Sequence, residues 1–259
     1  MFTLIIPICK IDNSIDYRIV SIKNLIKQTP KDINIIIVHQ IKPKDKKLNF
    51  TGENVLNIYV NSEGIFNKSW LNNIGVKYAN TKYIILSESD ISIDLNYFLK
   101  LKEYVNKNNY DWFFAWNRII YYEKDMKKIS RDVKPFKGGP EGGLVCHKKD
   151  FYWKMGGANE WLAGLGGIDN EMARRSEYLT KTYHMFQYKI EHNWHPESQL
   201  KYDKQRDWNK KLYKFVVNNP YDMINLQIKL IKELGNVKKP ICDTYKLEFK
   251  NSSIKCLKK

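Results

Sequence analysis

The first ninety residues alternate strand-length apolar runs with segments of helical spacing, and that alternation restricts the chain to few architectures. Phe2–Ile8 and Ile33–His39 are continuous apolar runs, Val55–Val60 is a shorter one, and Lys82–Leu86 ends directly on Ser87-Glu88-Ser89-Asp90. Between them, Ile15–Gln28 spaces Ile15, Ile19, Ile22, Leu25 and Ile26 as one helix face before Pro30 stops it. Phe66–Ala79 does the same with Trp70, Leu71, Ile74 and Tyr78 directed inward. Strands without polar alternation are buried on both faces, as in a largely parallel sheet covered by helices, so the expected fold class is α/β. In such sheets ligands sit beyond the carboxyl ends of the strands. That rule makes Pro7–Lys10, His39–Gln40 and Glu88–Asp90 neighbours around one cleft.

The second half reads differently. Asp94–Asn106 has helical spacing, and Trp112–Asn117 and Arg118–Tyr122 read as strands before a basic loop. A glycine-dense run from Gly138 to Gly167 contains a strand at Gly142–His147 and a short helix at Lys148–Met155. Ile168–Tyr178 reads as helix, Lys181–Ile190 as strand, and the tail from Pro196 as charged helix with irregular structure.

Of the 259 residues, 43% are hydrophobic and 28% charged, which excludes a disordered chain unable to offset its own entropy. The 44 Lys+Arg against 28 Asp+Glu leave a net charge of +16, half of it in residues 197–259. A charge of that size admits a polyanion partner. No dense Lys/Arg block and no zinc-finger, helix-turn-helix or RNA-recognition pattern accompanies it, so a solvated lysine surface is the reading and no specific nucleic acid is expected. The cysteines (Cys9, Cys146, Cys242, Cys256) form no CxxC pair and fit reduced thiols in a cytosol-like compartment. No run approaches the ~18 apolar residues of a membrane span, and the N-terminus lacks the layout of a signal peptide, so a cytoplasmic location is expected. Peripheral contact of the Lys-rich tail with an anionic leaflet is the alternative to a solvated tail, although Asn218-Asn219-Pro220 interrupts any continuous amphipathic face.

Three segments carry chemistry. Glu88 and Asp90, two apart at the end of a buried strand, project to one side and can face a hard cation that bridges to a diphosphate. Gly164 to Glu171 places Asp169 at a helix start, where the dipole keeps a carboxylate ionised as a general base requires; Trp161 just upstream can stack on a sugar ring or simply pack. His192-Asn193-Trp194-His195-Pro196 offers two imidazoles, and one of them with Glu88 and Asp90 forms a mixed oxygen and nitrogen set suited to Mn2+.

Taken in order, these segments resemble the β-1,4-galactosyltransferase-like family of GT-A fold glycosyltransferases, with kinship to chondroitin-polymerase-type enzymes. The resemblance lies in Leu4–Pro7, Ile36–Gln40, Phe66–Gly75 (similar to the family's Phe-Asn-Arg-Ala-x-Leu-Leu-Asn-x-Gly helix), Ile84–Asp90 (its Asp-x-Asp strand end), Gly138–Pro140, Gly156–Glu160, Gly164–Glu171 and His192–Pro196. It covers residues 2 to 197 and implies a GT-A domain over 1–197, with 198–259 a helical, basic extension packed on it.

It also implies roles. Asp90 is the first metal ligand, with Glu88 touching the metal, the ribose or the donor sugar. His192 completes the metal site, with His195 as the other candidate, for Mn2+ or Mg2+. Asp169 is the general base on an acceptor hydroxyl. Pro7, Gln40 and Lys68 line the nucleotide, and Trp161, Gly166 and Gly167 the sugars. The implied donor is a UDP-sugar and the implied acceptor a glycan, glycolipid or glycoprotein, with transfer of a hexose or N-acetylhexosamine by inversion. This chain departs from the family at Glu88 in place of the first Asp, Leu165 in place of Trp, Ile168 in place of Glu, and Cys9-Lys10 where arginines stand. A carbohydrate- or nucleotide-sugar-binding domain without catalysis is the alternative that Leu165 and Ile168 favour, ahead of a polyanion-binding protein.

Overall fold

The computed structural model describes residues 1–9, 15–125, 127–135, 142–164, 166–195, 203–250 and 253–259. The first part of the chain runs β1 (Phe2–Cys9), α1 (Ile15–Gln28), β2 (Asn34–Ile41), β3 (Val55–Asn61), α2 (Lys68–Tyr78), β4 (Tyr83–Ser87), β5 (Ile91–Ser92) and α3 (Tyr97–Asn108). The middle adds β6 (Trp112–Phe114), β7 (Arg118–Tyr122), β8 (Ile129–Val133), β9 (Leu144–Lys148), α4 (Lys149–Lys154), α5 (Ile168–Thr180) and β10 (Lys189–His192). The last part is α6 (Asp203–Asn218), α7 (Pro220–Lys229), α8 (Ile241–Thr244), β11 (Tyr245–Lys250) and β12 (Ser253–Lys258).

The main sheet has the order β3-β2-β1-β4-β9-β6. The first four strands are parallel, and β9 runs antiparallel between β4 and β6. The parallel strands end together at Cys9, Ile41, Asn61 and Ser87, which defines the edge expected to carry a ligand. Helix α2 lies so close over β1 that a Cβ on Gly75 would collide with Cγ2 of Ile5. Trp70, Leu71 and Ile74 of α2 are buried as expected, whereas Tyr78, expected inward, is exposed in the last turn.

A second sheet, β5-β10-β7-β8, stands beside the first. Its strand β8 falls in what the sequence suggests is a basic loop. Lys181–Ile190, expected as one strand, contributes a bridge from Met185 to Phe114 and then β10. The hairpin of β11 and β12, in a tail expected to be helical and irregular, pairs Tyr245 with Lys258 through Lys250 with Ser253.

The described residues form two hydrophobic cores. The larger one fills the space around the main sheet. The smaller joins Trp161, Leu162 and Ile168 to Leu212, Phe215, Val216, Met223, Leu234, Ile241 and Leu247, so the tail packs on the segment that precedes and opens α5. Glu160 bolts this junction. Its carboxyl accepts hydrogen bonds from Gly235 N (2.6 Å), Ile241 N (2.7 Å) and Asn73 Nδ2 (2.8 Å). Burial pushes its pKa up to about 7, while those three donors act in the opposite direction. Glu160→Ala strands three buried donors at about 1–3 kcal/mol each. The expected loss in urea unfolding is at least about 3 kcal/mol, and a loss below 1 kcal/mol (about one-third of that) would remove Glu160 from this role.

Two other buried groups set an acid limit on stability. Burial pushes His39, which makes stacked contacts with Phe50 and Tyr59, down to about 4, and burial with nearby Arg175 pushes His147 down to about 3. The unfolded chain takes up these protons near pH 6.5 and the folded chain does not. Folding free energy is therefore full above about pH 6.5 and falls below it, with a limiting slope of about 1.4 kcal/mol per pH unit for each histidine. Both nitrogens of His147 are buried without a hydrogen-bond partner among the described residues, so His147→Phe should flatten the curve of urea midpoint against pH between 6.5 and 4.

Candidate active site

The loop after β4 carries the site. Strand β4 stops at Ser87, so Glu88 and Asp90 lie on a turn and strand alternation no longer governs them. They diverge: Glu88 turns toward Lys68, and Asp90 toward the histidines. The expectation that both carboxylates hold one cation stands as a proposal, with Glu88 engaged by Lys68 here. Among the described residues, Asp90, His192 and His195 form the metal-competent group, with ligand atoms within 4.8 Å of one another.

The pairing of β5 with β10 explains how residues a hundred apart meet. Asp90 immediately precedes β5, and His192 ends β10 opposite Ile91. Asn193 N then donates to the Asp90 carbonyl at 2.8 Å, and Asn193 Nδ2 donates to Ser21 Oγ and Ser92 Oγ, each at 2.8 Å. Nε2 of His192 lies 3.5 Å from Asp90 Oδ1, and Nε2 of His195 lies 3.1 Å from Oδ2. Burial opposes the charge on Asp90, but His195, His192 and Arg18 outweigh it and hold the carboxyl well below the usual carboxylate range.

The donor set fits a divalent ion. Asp90 Oδ1 is buried and accepts no hydrogen bond among the described residues, which leaves a lone pair aimed into the group. One carboxylate and two imidazoles suit Mn2+ better than Mg2+, which prefers oxygen ligands and keeps its waters.

Two residues here escaped the sequence reading. Arg18, on α1, brings Nε to 3.5 Å from Asp90 Oδ2. Tyr121 stacks on His192 at 4.6 Å between ring centroids and carries the Arg131 guanidinium over its ring at 4.0 Å. Burial raises the Tyr121 hydroxyl pKa, with the Glu88 charge adding to it and Arg131 opposing. Nothing in the spacing of a helical arginine or a strand tyrosine marks either residue; only the folded juxtaposition does.

Beside this group lies a second one. Lys68, the first residue of α2, donates from Nζ to both oxygens of Asp169 (2.9 and 3.0 Å) and to Glu88 Oε1 (3.3 Å). Burial disfavours the lysine charge, yet the two carboxylates outweigh it and raise its pKa above the ordinary lysine range. Burial raises the Asp169 pKa, Lys68 pulls it back, and Glu88 adds to the rise; the net direction is upward. Asp169 occupies the first turn of α5, whose N-cap Gly167 has φ +81°, a left-handed conformation that favours glycine. Gly142 floors the cleft: a Cβ there would stand 2.9 Å from Glu88 Oε1 and 3.4 Å from Asp169 Oδ2.

The remaining expected site residues make the following contacts. Pro7 is buried inside β1 in register with Val38. Gln40 is buried with its amide occupied, donating to Gly64 O and Ile65 O (3.1 Å each) while its oxygen accepts from Asn67 N at 3.0 Å. It thus fixes the loop that leads to Lys68. Trp161 is buried in the smaller core and donates its indole N–H to Tyr245 O at 3.1 Å. Gly166 and Gly167 are tied to the tail, with Asn209 Nδ2 donating to Gly166 O at 3.2 Å. Ile168 packs in the smaller core, where the family's Glu would be buried. Lys10, Gly138–Pro140, Leu165 and Pro196 lie outside the described residues.

No protein-family model matches the chain, and no curated protein matches it in sequence. Solved structures do. A structure of S. aureus TarS residues 1–349 matches with TM-score 0.58 at 13% identity, covering 89% of this chain and 71% of that one. GalNAc-T7, crystallised with UDP, GalNAc and Mn2+, matches with TM-score 0.56 at 12% identity over 94% of this chain and 52% of its own. A longer S. aureus TarS structure gives 0.54 at 12% over 83% and 43%, so the chain spans about half or less of these last two proteins. The architecture is the GT-A fold, a central sheet flanked by helices. At this identity the likeness is one of fold, and the narrower galactosyltransferase resemblance rests on the sequence motifs alone.

No described helix is long and apolar enough to cross a membrane.

Proposed function

We propose that this chain is a metal-dependent inverting glycosyltransferase that moves a hexose or N-acetylhexosamine from a UDP-sugar to a hydroxyl of a glycan, glycolipid or glycoprotein. The observation that carries the reading is the juxtaposition, at one edge of a GT-A sheet, of Asp90 with His192 and His195 and of Asp169 with Lys68 and Glu88. The GT-A fold shared with a protein crystallised with UDP, GalNAc and Mn2+ supports it. The chemistry is assigned to residues 1–197, with 198–259 as an extension packed on them.

Asp90, His192 and His195 would hold the cation, which supplies positive charge against the diphosphate leaving group. Arg18 and Lys68 add fixed positive charge on either side. Asp169 accepts the proton of the acceptor hydroxyl as that oxygen bonds to the anomeric carbon and the bond to UDP breaks. A carboxylate offers about four lone-pair sites. Lys68 takes two of those on Asp169, holding it in place while others remain for the proton. The glycine at 142 leaves room for the acceptor beside both carboxylates.

The test is a thermal-shift screen of UDP-glucose, UDP-galactose, UDP-GlcNAc and UDP-GalNAc with and without Mn2+. A ligand that binds only the native state raises the melting temperature. Stabilisation by at least one of them that requires Mn2+ is expected; stabilisation by none, or equally without the metal, contradicts the reading.

A further inference from the structure

We propose that the cavity between the Ser62–Asn67 loop and the C-terminal hairpin is a carbohydrate subsite, holding a neutral sugar unit of the acceptor away from the reacting hydroxyl. The word acceptor rests on the transferase reading; the sugar rests on the cavity's own geometry.

The cavity measures about 430 Å3, within the size of small-ligand sites. Trp70, Trp161, Trp208 and Tyr245 line it together with Gln205 and Asp243. The three indoles are pinned by their own N–H groups: Trp70 donates to Asn236 O (2.7 Å), Trp161 to Tyr245 O (3.1 Å) and Trp208 to Trp161 O (3.2 Å). Trp70 and Trp161 are buried and back the wall, so a ligand meets the partly exposed rings of Trp208 and Tyr245, already held by hydrogen bonds, and little side-chain entropy is lost on binding. Aromatic surface beside a carboxylate and an amide matches a pyranose, which has an apolar C–H face and a rim of hydroxyls.

The lining charges are mixed, and no arginine is among the described lining residues. Lys246 pairs with Glu248 at 2.7 Å, Lys259 donates to Cys242 O at 2.6 Å and keeps its charge, and exposed Asp243 offers a carboxylate to a hydroxyl. Cys242 supplies wall and not a nucleophile, since burial pushes its thiol up to about 12.

Position links the cavity to the cleft. Asn67 lines it and is followed by Lys68, which grips Asp169 and Glu88. Ala163 lines it too, and Gly164 N donates to Phe66 O at 2.7 Å, drawing the approach to α5 against the same loop. Gln205, Trp208, Asp243 and Tyr245 all come from the extension, which gains a function its lysines did not suggest.

Retention of the full chain on a printed array of neutral oligosaccharides (chitotriose, lactose, maltotriose and mannotriose), with EDTA and without nucleotide, tests this. The wild type is expected to retain at least one of them, and Asp243→Asn and Trp208→Phe to weaken that retention tenfold or more. Trp208 also packs on Phe249 at 5.4 Å, so Asp243→Asn, which keeps the size of an exposed side chain and removes its charge, is the deciding variant. Retention of none by the wild type, or retention unchanged by Asp243→Asn, overturns the subsite. Either result leaves the transferase reading standing if UDP-sugar and Mn2+ still stabilise the protein. Retention lost in the variants, in a protein that no UDP-sugar stabilises, supports the sugar site and removes the transferase reading instead.

Discussion

Asp169→Asn should lower sugar transfer by about 10²–10⁴-fold, the usual worth of a positioned general base, while affinity for UDP with Mn2+ changes little. The amide keeps the size of the carboxylate and can still accept from Lys68, so the fold and the α2–α5 contact survive. What it loses is the capacity to take a proton at neutral pH. The pH profile separates this role from a merely structural one. Burial lifts the Asp169 pKa and Lys68 counters that lift, so transfer should decline on the acid side as Asp169 becomes protonated. Lys68→Met removes the countering charge, and the acid limb should move to higher pH. Activity of Asp169→Asn within tenfold of wild type, or an acid limb indifferent to Lys68, takes Asp169 out of the mechanism.

The second large effect belongs to Asp90. Replacing groups that merely support a metal ligand costs about 10–100-fold in affinity, so Asp90→Asn, which alters a proposed ligand, should weaken Mn2+ binding by more than about 100-fold. It also leaves Arg18 and both histidines without their common anion. Calorimetric titration of Mn2+ in the presence of UDP reads the change. A variant that binds Mn2+ as tightly as the wild type would place the ion elsewhere.

How much of this was legible in the chain depends on whether an element is local. The parallel strands β1, β2 and β4 were readable because each is an unbroken apolar run, and α1 because its periodicity ends at a proline. Strand β5 was not, since two residues carry no periodicity; it exists because Ile91 and Ser92 pair with β10. Yet that pairing is what brings His192 to Asp90. Motif order anticipated the meeting where spacing alone could not. The divergence of Glu88 from Asp90 was hidden for a related reason: strand alternation was extended past Ser87, where the strand has ended. Gln40 and Trp161 fall where the sequence places functional groups, and the hydrogen bonds they make are long-range, joining β2 to the loop before α2 and the approach to α5 to β11, which no local pattern shows. The hairpin of β11 and β12 was masked by lysines, which on an exposed two-stranded ribbon say little about backbone conformation.

The central claim is that the cation group and the Lys68-held carboxylates form one reactive cleft. Release of UDP from UDP-sugars by the wild-type protein, measured with Mn2+ and again after EDTA, tests it most directly. The account predicts release from at least one UDP-sugar that stops with EDTA and falls by about 100-fold or more in both Asp90→Asn and Asp169→Asn. Release that continues unchanged in EDTA and in both variants, or no release from any UDP-sugar with or without an added acceptor, would contradict it.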